Sequence, residues 1–303
     1  MLYAISFSGF YFAMLLVLLG LILRPVGFKY RSKIDHSAWR AIWDAGLFLG
    51  GFIPALIFGV ALGNVLEGVP FYFDDTMRDF YTGSFWALLN PFAILDGLVS
   101  VFMLIMHGGV FLCIKTEGAV ATRAKWAASV AALVTVVLFA VAGFFVAYHV
   151  PGYVLSQALA HDGYSNPLHK VVHTAIGAWL NNYSSYPALM IVPIVGFVGV
   201  LLTPLLLRLR CHHLAWITSG LGIAGIIATV GVSMFPFILP SSIAPNASLM
   251  VWDASSSQLT LFIMLIATLI FLPLIIMYTS WVYYVMRGKV ITQRIQKNSK
   301  NFY

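Results

Sequence analysis

Charged side chains are scarce in this chain: Asp, Glu, Lys and Arg make up only 9% of its 303 residues. Soluble globular domains carry about 25%. Hydrophobic residues account for 61%, and the mean hydropathy is +0.92. This composition excludes a soluble domain and indicates an integral membrane protein. Ten-residue segments of alternating hydrophobicity are also absent, which excludes a membrane β-barrel.

Several kinds of functional signature are missing as well. The two cysteines, Cys113 and Cys211, fall at predicted helix ends on one side of the membrane and predict neither a disulfide nor a metal site. Hydrolase triads, phosphate loops and nucleotide-binding fingerprints are absent. The last apolar segment has no lysine, which excludes a retinal protein. Basic residues are spread over several loops, which argues against a nucleic-acid partner.

Long apolar runs dominate what is present. Each supplies about 20 residues or more, enough to cross a hydrocarbon core of about 30 Å as a helix. The runs cover approximately residues 4–23, 45–65, 89–113, 126–149, 187–207, 214–237 and 258–286. The sequence therefore predicts an all-α, polytopic bundle of seven transmembrane helices, with residues 1–303 forming a single transmembrane domain.

The basic residues lie almost entirely on one side of this predicted bundle. Of 17 Lys and Arg residues, all but Arg78 and Lys170 fall after helix 1, between helices 3 and 4, between helices 5 and 6, or after helix 7. Positive charge marks the cytoplasmic side of membrane proteins. The N-terminus is therefore expected outside and the C-terminus in the cytoplasm.

Ionisable residues inside a membrane are costly and are candidates for function. Asp96 and His107 are eleven residues apart in helix 3, so they share a helix face with Ser100 and Met103. This stripe is interpreted either as a proton relay or as a hydrated aspartate and a histidine that bonds a neighbouring helix. Asp44, at the start of helix 2, and Asp253, before helix 7, are further relay candidates. Both also suit a purely structural role.

The histidines, the small residues and the loop aromatics predict packing contacts and no cofactor bound by this chain alone. A bis-histidine haem needs two deep histidines. Only His107 is deep, so the chain is not expected to ligate haem by itself. Small residues recur at four-residue spacing in helix 6, at Gly220, Ala224 and Ala228, and predict close helix packing within this chain or with a second subunit. The aromatic residues of loops 66–88 and 150–186 suit an interfacial belt, or a cap over a partner's cofactor.

Several strings along the chain together resemble subunit II of cytochrome bd quinol oxidases. They are Phe7-Ser8-Gly9-Phe10-Tyr11, Arg24-Pro25-Val26-Gly27-Phe28, Trp39-Arg40 with Trp43-Asp44, Gly63-Asn64-Val65-Leu66-Glu67-Gly68-Val69-Pro70-Phe71, Leu89-Asn90-Pro91-Phe92, Met234-Phe235-Pro236-Phe237 and Trp252-Asp253-Ala254-Ser255-Ser256-Ser257-Gln258-Leu259-Thr260. The similarity covers essentially the whole chain. One difference stands out: Met1 falls where the family's third helix begins, so the family's first two helices have no counterpart here.

The resemblance implies a role as a partner subunit in a bacterial inner membrane. In such oxidases haem b and haem d belong to subunit I, with which this chain would form a heterodimer. The complex oxidises quinol and reduces dioxygen to water, generating proton-motive force. Subunit II supports the haem-bearing subunit, can hold a quinone and contributes to proton supply. Asp44 and Asp253 lie within matching strings, whereas Asp96 and His107 lie outside them.

Two alternatives to an oxidase subunit remain open from the sequence. The chain is also compatible with a proton-coupled transporter that uses the stripe from Asp96 to His107. A third interpretation is a truncated remnant that no longer assembles with subunit I.

Overall fold

The structure, a computed structural model, describes residues 2–156, 166 and 168–289. Helices dominate this part of the chain. The helices are α1 (Leu2–Gly9), α2 (Tyr11–Tyr30), α3 (Ser37–Glu67), α4 (Pro91–Lys115), α5 (Gly118–Tyr148), α6 (Asn181–Ser185), α7 (Ile191–Arg208), α8 (His212–Met234), α9 (Val251–Ala254) and α10 (Gln258–Val285).

Seven of the described helices are long and apolar enough to cross a membrane, which confirms the predicted number. They are α2, α3, α4, α5, α7, α8 and α10, with α7 extended at its start by the 3₁₀ turn Pro187–Met190. The first predicted boundary was wrong. The span begins at Tyr11 instead of residue 4. The helix is interrupted at Phe10, and residues 2–9 form the separate helix α1.

Helix ends also differ where polar residues continue a helix beyond its apolar run. Helix α5 begins at Gly118, well before the predicted residue 126, and α3 begins at Ser37 instead of 45. Hydropathy detects only the segment that suits hydrocarbon, whereas backbone hydrogen bonding continues into the aqueous boundary. The prediction therefore located the spans and misjudged their length.

Among the described residues, three short antiparallel strand pairs qualify the all-α prediction. β1 (Phe71–Phe73) pairs with β2 (Asp79–Tyr81), β3 (Pro151–Leu155) with β4 (Val172–Ile176), and β5 (Phe237–Leu239) with β6 (Leu249–Met250). Each pair closes one loop and satisfies the backbone groups that a buried loop would leave unpaired. We call this end of the bundle the hairpin end, and the opposite end, with the links α2–α3, α4–α5 and α7–α8, the basic end.

Three aromatic residues of the hairpin-end loops are core residues, whereas others, such as Trp86 and Tyr186, are exposed. Phe71, Tyr153 and Trp179 are at most 5% exposed. The indole of Trp179 donates a hydrogen bond to the backbone oxygen of Leu66 at 3.1 Å, which fixes the loop between α5 and α7 to the end of α3. The expected interfacial belt was therefore wrong for these three residues.

Within the bundle, α4 packs against α3, α5 and α8, and α7 packs against α8 and α5. The α7–α8 contact depends on glycine. A Cβ atom on Gly222 would lie 2.9 Å from the backbone nitrogen of Val200, and one on Gly225 would lie 2.7 Å from Cα of Gly196. The close contact of α8 within the subunit therefore runs through Gly222 and Gly225. The face predicted at Gly220, Ala224 and Ala228 was wrong, because Ala224 and Ala228 are exposed and Gly220 meets only the ring of His107.

Helix α10 is the exception to this packing. Its described residues include no buried side chain. At the basic end, Lys115 donates a hydrogen bond to the backbone oxygen of Met286 at 3.2 Å. The apolar sides of this helix are therefore left uncovered.

Candidate functional site

A cavity of about 960 Å³ lies in the half of the bundle nearer the hairpin end. Its walls come from α3 to α8 and are mostly apolar. The polar side chains in its lining are Asp96, Ser100, Tyr183, Ser184, Thr229 and Ser233. A cavity of this volume, apolar with a few polar groups, is typical of sites that bind a small molecule.

Asp96 enters this lining because α4 starts close to the end of α3. Pro91 opens the helix, and the Asn90 side chain caps it by accepting a hydrogen bond from the backbone nitrogen of Ala93 at 2.7 Å. Asp96 lies in the second turn, against α3. A Cβ atom on Gly63 would stand 2.9 Å from its Oδ2, so the glycine makes room for the carboxylate.

A second carboxylate lies beside Asp96. Glu67, the last residue of α3, accepts a hydrogen bond from the amide of Asn90, and its charge acts on Asp96. The amide of Asn64 donates to the backbone oxygens of Val60 and Leu88 at 2.8 and 2.7 Å and so ties the loop before α4 to α3. Sequence analysis did not identify Glu67, Asn64 or Asn90 as site residues. In the sequence they were marked only by lying in the segments 63–71 and 89–92, which resemble the family.

His107 lies one turn beyond the cavity, toward the basic end. Its Nδ1 is 2.8 Å from the hydroxyl of Ser219 on α8, and its ring centroid is 5.8 Å from that of Trp216. This is the contact expected if His107 has the structural role of bonding a neighbouring helix. Asp96, Ser100 and Met103 all line the cavity. By the helical period, His107 continues their face of α4 beyond the lining.

These residues do not fit a haem. A bis-histidine haem needs two imidazoles that face each other. One ring nitrogen of His107 is engaged with Ser219, and no histidine is part of the cavity lining. In the ranges that the structure describes, no three His, Cys, Asp or Glu side chains come together as a metal would require.

Asp44 lies away from the cavity, at the basic end. It forms an ion pair with Arg31, and both side chains are about half exposed. The hydrogen bond and charge of Asp44 raise the pKa of the Arg31 guanidinium. This pair joins the end of α2 to the start of α3, as expected of a residue that stabilises the link.

Asp253 also pairs with a cation, here in a buried position. Its Oδ2 accepts a hydrogen bond from Lys170, and its Oδ1 accepts one from the backbone nitrogen of Met250 at 2.7 Å. The two charged side chains are 0% and 5% exposed. Burial lowers the pKa of Lys170, and the bond to Asp253 opposes that shift. The pair connects the loop between α5 and α7 to the segment before α10.

Comparison with known proteins gives consistent results. The family model described as cytochrome bd terminal oxidase subunit II matches residues 1–286. Cytochrome bd-I ubiquinol oxidase subunit 2 of Escherichia coli K12 is 48% identical over 303 residues, which cover all of this chain and 80% of that protein. A probable cytochrome oxidase subunit 2 of Haemophilus influenzae is 46% identical over 301 residues, 99% of this chain and 79% of that protein.

A solved structure shares the fold. A chain from the structure of bd oxidase from Geobacillus thermodenitrificans superposes with a TM-score of 0.62 and covers 91% of this chain and 72% of that one. The identity between the two is 16%, so this likeness bears on the fold alone.

Proposed function

This chain belongs to the family of cytochrome bd terminal oxidase subunit II, and from that membership we propose that it supports a haem-bearing subunit I in a quinol oxidase. Two quinols supply four electrons and four protons, and one dioxygen takes them up to give two waters. The observation that carries the proposal is similarity along the whole chain at 48% identity. The transporter and remnant hypotheses have no comparable support.

The haems in this proposal, of b and d type, lie on subunit I. When bound there they carry the electrons and reduce dioxygen. This chain contributes packing surface. Helices α2 and α10 expose large apolar side chains, among them Phe12, Leu269 and Phe271 at about 60% or more. A second membrane subunit can pack against such faces.

Position in the membrane is part of the proposal. Fifteen of 17 basic residues belong to links or tails on one side, which supports a cytoplasmic basic end and an outward-facing hairpin end. The chain would then be a multi-pass protein of the bacterial inner membrane.

The cavity supports a bound quinone. Its apolar walls suit an isoprenoid tail. Asp96 and Ser100 belong to its lining, where the Ser100 hydroxyl could donate to a quinone oxygen and the Asp96 carboxylate could accept from a quinol hydroxyl. We further assign proton exchange to Asp96 and His107, which lie on one face of α4. The ion pairs of Asp44 and Asp253 favour structural roles for those two residues.

Deletion of this chain tests the subunit assignment. Membranes that contain subunit I alone should lack the haem d absorption band and quinol-dependent oxygen uptake, and both should return when this chain is restored. An unaltered haem d band and oxygen uptake after deletion would contradict the assignment.

A pair of glycine substitutions tests the quinone site in the purified complex. Gly143 lines the cavity, and a Cβ atom there meets nothing within 4 Å, so Gly143→Leu fills space without straining the backbone. The matched control is Gly231→Leu, equally open but outside the lining. Quinone content should fall several-fold only in Gly143→Leu. Equal content in both variants would argue against this site.

A further inference from the structure

At the basic end, four elements bring cationic groups together around His212. This residue begins α8. The charges that act on it come from Lys125 on α5, Lys289 after α10, and Arg210 and His213 beside it in the chain. Apolar packing of Cys113, Ala124, Leu207 and Ala215 holds the ends of α4, α5, α7 and α8 together beneath this cluster. We call Lys125, Arg210, His212 and Lys289 the cationic cluster.

The backbone adds donors at the same point. Arg210 has a positive φ of 61°, which turns the chain sharply between α7 and α8. The N-cap residue of α8, Cys211, makes no side-chain capping bond. The first N–H groups of a helix are unpaired and carry partial positive charge. Here they point out of a 23-residue helix next to three cationic side chains.

One buried nitrogen in the cluster has no partner. Nδ1 of His212 is inaccessible to solvent and makes no hydrogen bond within the described chain. A buried polar atom of this kind costs free energy unless something pairs with it. This nitrogen belongs to the first residue of α8, and in the tautomer that carries its proton on Nδ1 it can donate to an anion.

The chain supplies little negative charge to this cluster. Glu117 lies 3.6 Å from Lys289, with both side chains about half exposed. The other basic link is different, because in the α2–α3 link Arg31 pairs with Asp44 and Arg40 with Asp35. The cationic cluster therefore keeps an excess of positive charge that an external anion can neutralise.

The surroundings of the cluster are apolar and open. Trp126, Leu209 and Leu214 are 70%, 63% and 54% exposed. Nearby, α10 leaves its sides uncovered. An anion with hydrocarbon chains would satisfy both the charges and these faces, whereas inorganic phosphate would satisfy the charges alone.

We propose that the cationic cluster binds the phosphate of an anionic phospholipid. The lipid headgroup lies at the start of α8 and its acyl chains run along α10 and the bundle. The site would join the last helix to the rest of the subunit through lipid, independently of the oxidase reaction.

Native mass spectrometry of the complete oxidase, stripped of lipid, tests this site. Dioleoyl phosphatidylglycerol is titrated into the wild type and into the variant Lys125→Gln/Arg210→Asn/Lys289→Gln. Each basic residue near a membrane surface is worth about 1 kcal/mol, so the triple variant should bind the lipid roughly 100-fold more weakly. The control Lys29→Gln/Arg123→Gln/Lys33→Gln removes equal charge at the same end and should bind like the wild type.

Two outcomes would overturn the proposal. One is equal lipid affinity in the triple variant and the wild type. The other is displacement of the lipid by sodium phosphate at matched concentration, which would assign the cluster to a soluble anion. If the triple variant fails to assemble, Lys289→Gln is titrated alone. It should bind about fivefold more weakly, and unchanged binding would contradict the site.

Discussion

Asp96 differs from the other two acidic relay candidates in its surroundings. Asp44 and Asp253 each face a cation, Arg31 and Lys170. Asp96 instead lies in the wall of a cavity, and it forms no ion pair among the residues that the structure describes. Its carboxyl therefore stays available to a ligand or a water in the cavity. The relay proposal therefore depends on this residue more than on the other three.

Replacement of Asp96 by asparagine tests the relay at the scale of one residue. Asparagine keeps the shape and removes the exchangeable proton, so quinol-driven proton release should slow about tenfold or more. A pH-indicating dye in proteoliposomes, read together with oxygen uptake, measures it.

Asp44→Asn is the matched control for this measurement and should leave release and uptake unchanged, since its partner Arg31 lies on the surface. Identical proton release in Asp96→Asn and the wild type would remove Asp96 from the relay.

The sequence predicted part of this site at the residue scale. Helical periodicity placed Asp96 and His107 on one face of α4. In the structure Asp96 lies against Gly63 of α3 and lines the cavity, whereas His107 contacts Ser219 of α8 outside the lining. It did not predict Glu67 and Asn90, because their hydrogen bond joins residues 23 positions apart through the α3–α4 contact. From the sequence, Lys170 was only one of two basic residues, with Arg78, on the side of the membrane that has few basic residues. Its burial with Asp253 depends on a loop fold that hydropathy does not describe.

At the scale of elements, glycine decides how closely α3 and α4 approach. A Cβ atom on Gly59 would lie 2.7 Å from Cα of Gly97 and from Cβ of Ser100, closer than real atoms pack. The same contact brings Gly63 against Asp96 and so positions the cavity wall. Hydropathy located both helices but could not identify this contact face, because apolar residues surround each helix on all sides.

A valine at Gly59 should therefore separate α3 from α4. Overpacking of a close contact costs about 1–3 kcal/mol, so the complex should unfold at a lower temperature and lose bound quinone. Thermal unfolding in detergent, followed by the haem absorption, measures the loss.

Gly51→Val, on the same helix, meets nothing within 4 Å and serves as the control. An equal loss in both variants would indicate a general effect of β-branched residues in α3 and would contradict the proposed contact.

At the scale of the whole molecule, charge asymmetry predicts an orientation that native cysteines can test. Cys211 is exposed in the α7–α8 link, and Cys113 is buried. With a cytoplasmic basic end, a membrane-impermeant maleimide should label Cys211 in inverted vesicles and not in intact cells. Cys211→Ser supplies the background.

A cysteine introduced at Thr174, exposed on β4 at the hairpin end, should give the opposite pattern. Labelling of Cys211 in intact cells would reverse the assignment of the two ends.

The exposed surface of α10 has a consequence for the order of assembly. None of the described side chains of α10 contributes to the interior formed by α2 to α8, so that interior can form before α10 is synthesised. Under the proposed function, the other oxidase subunit would then dock on a bundle that has already folded.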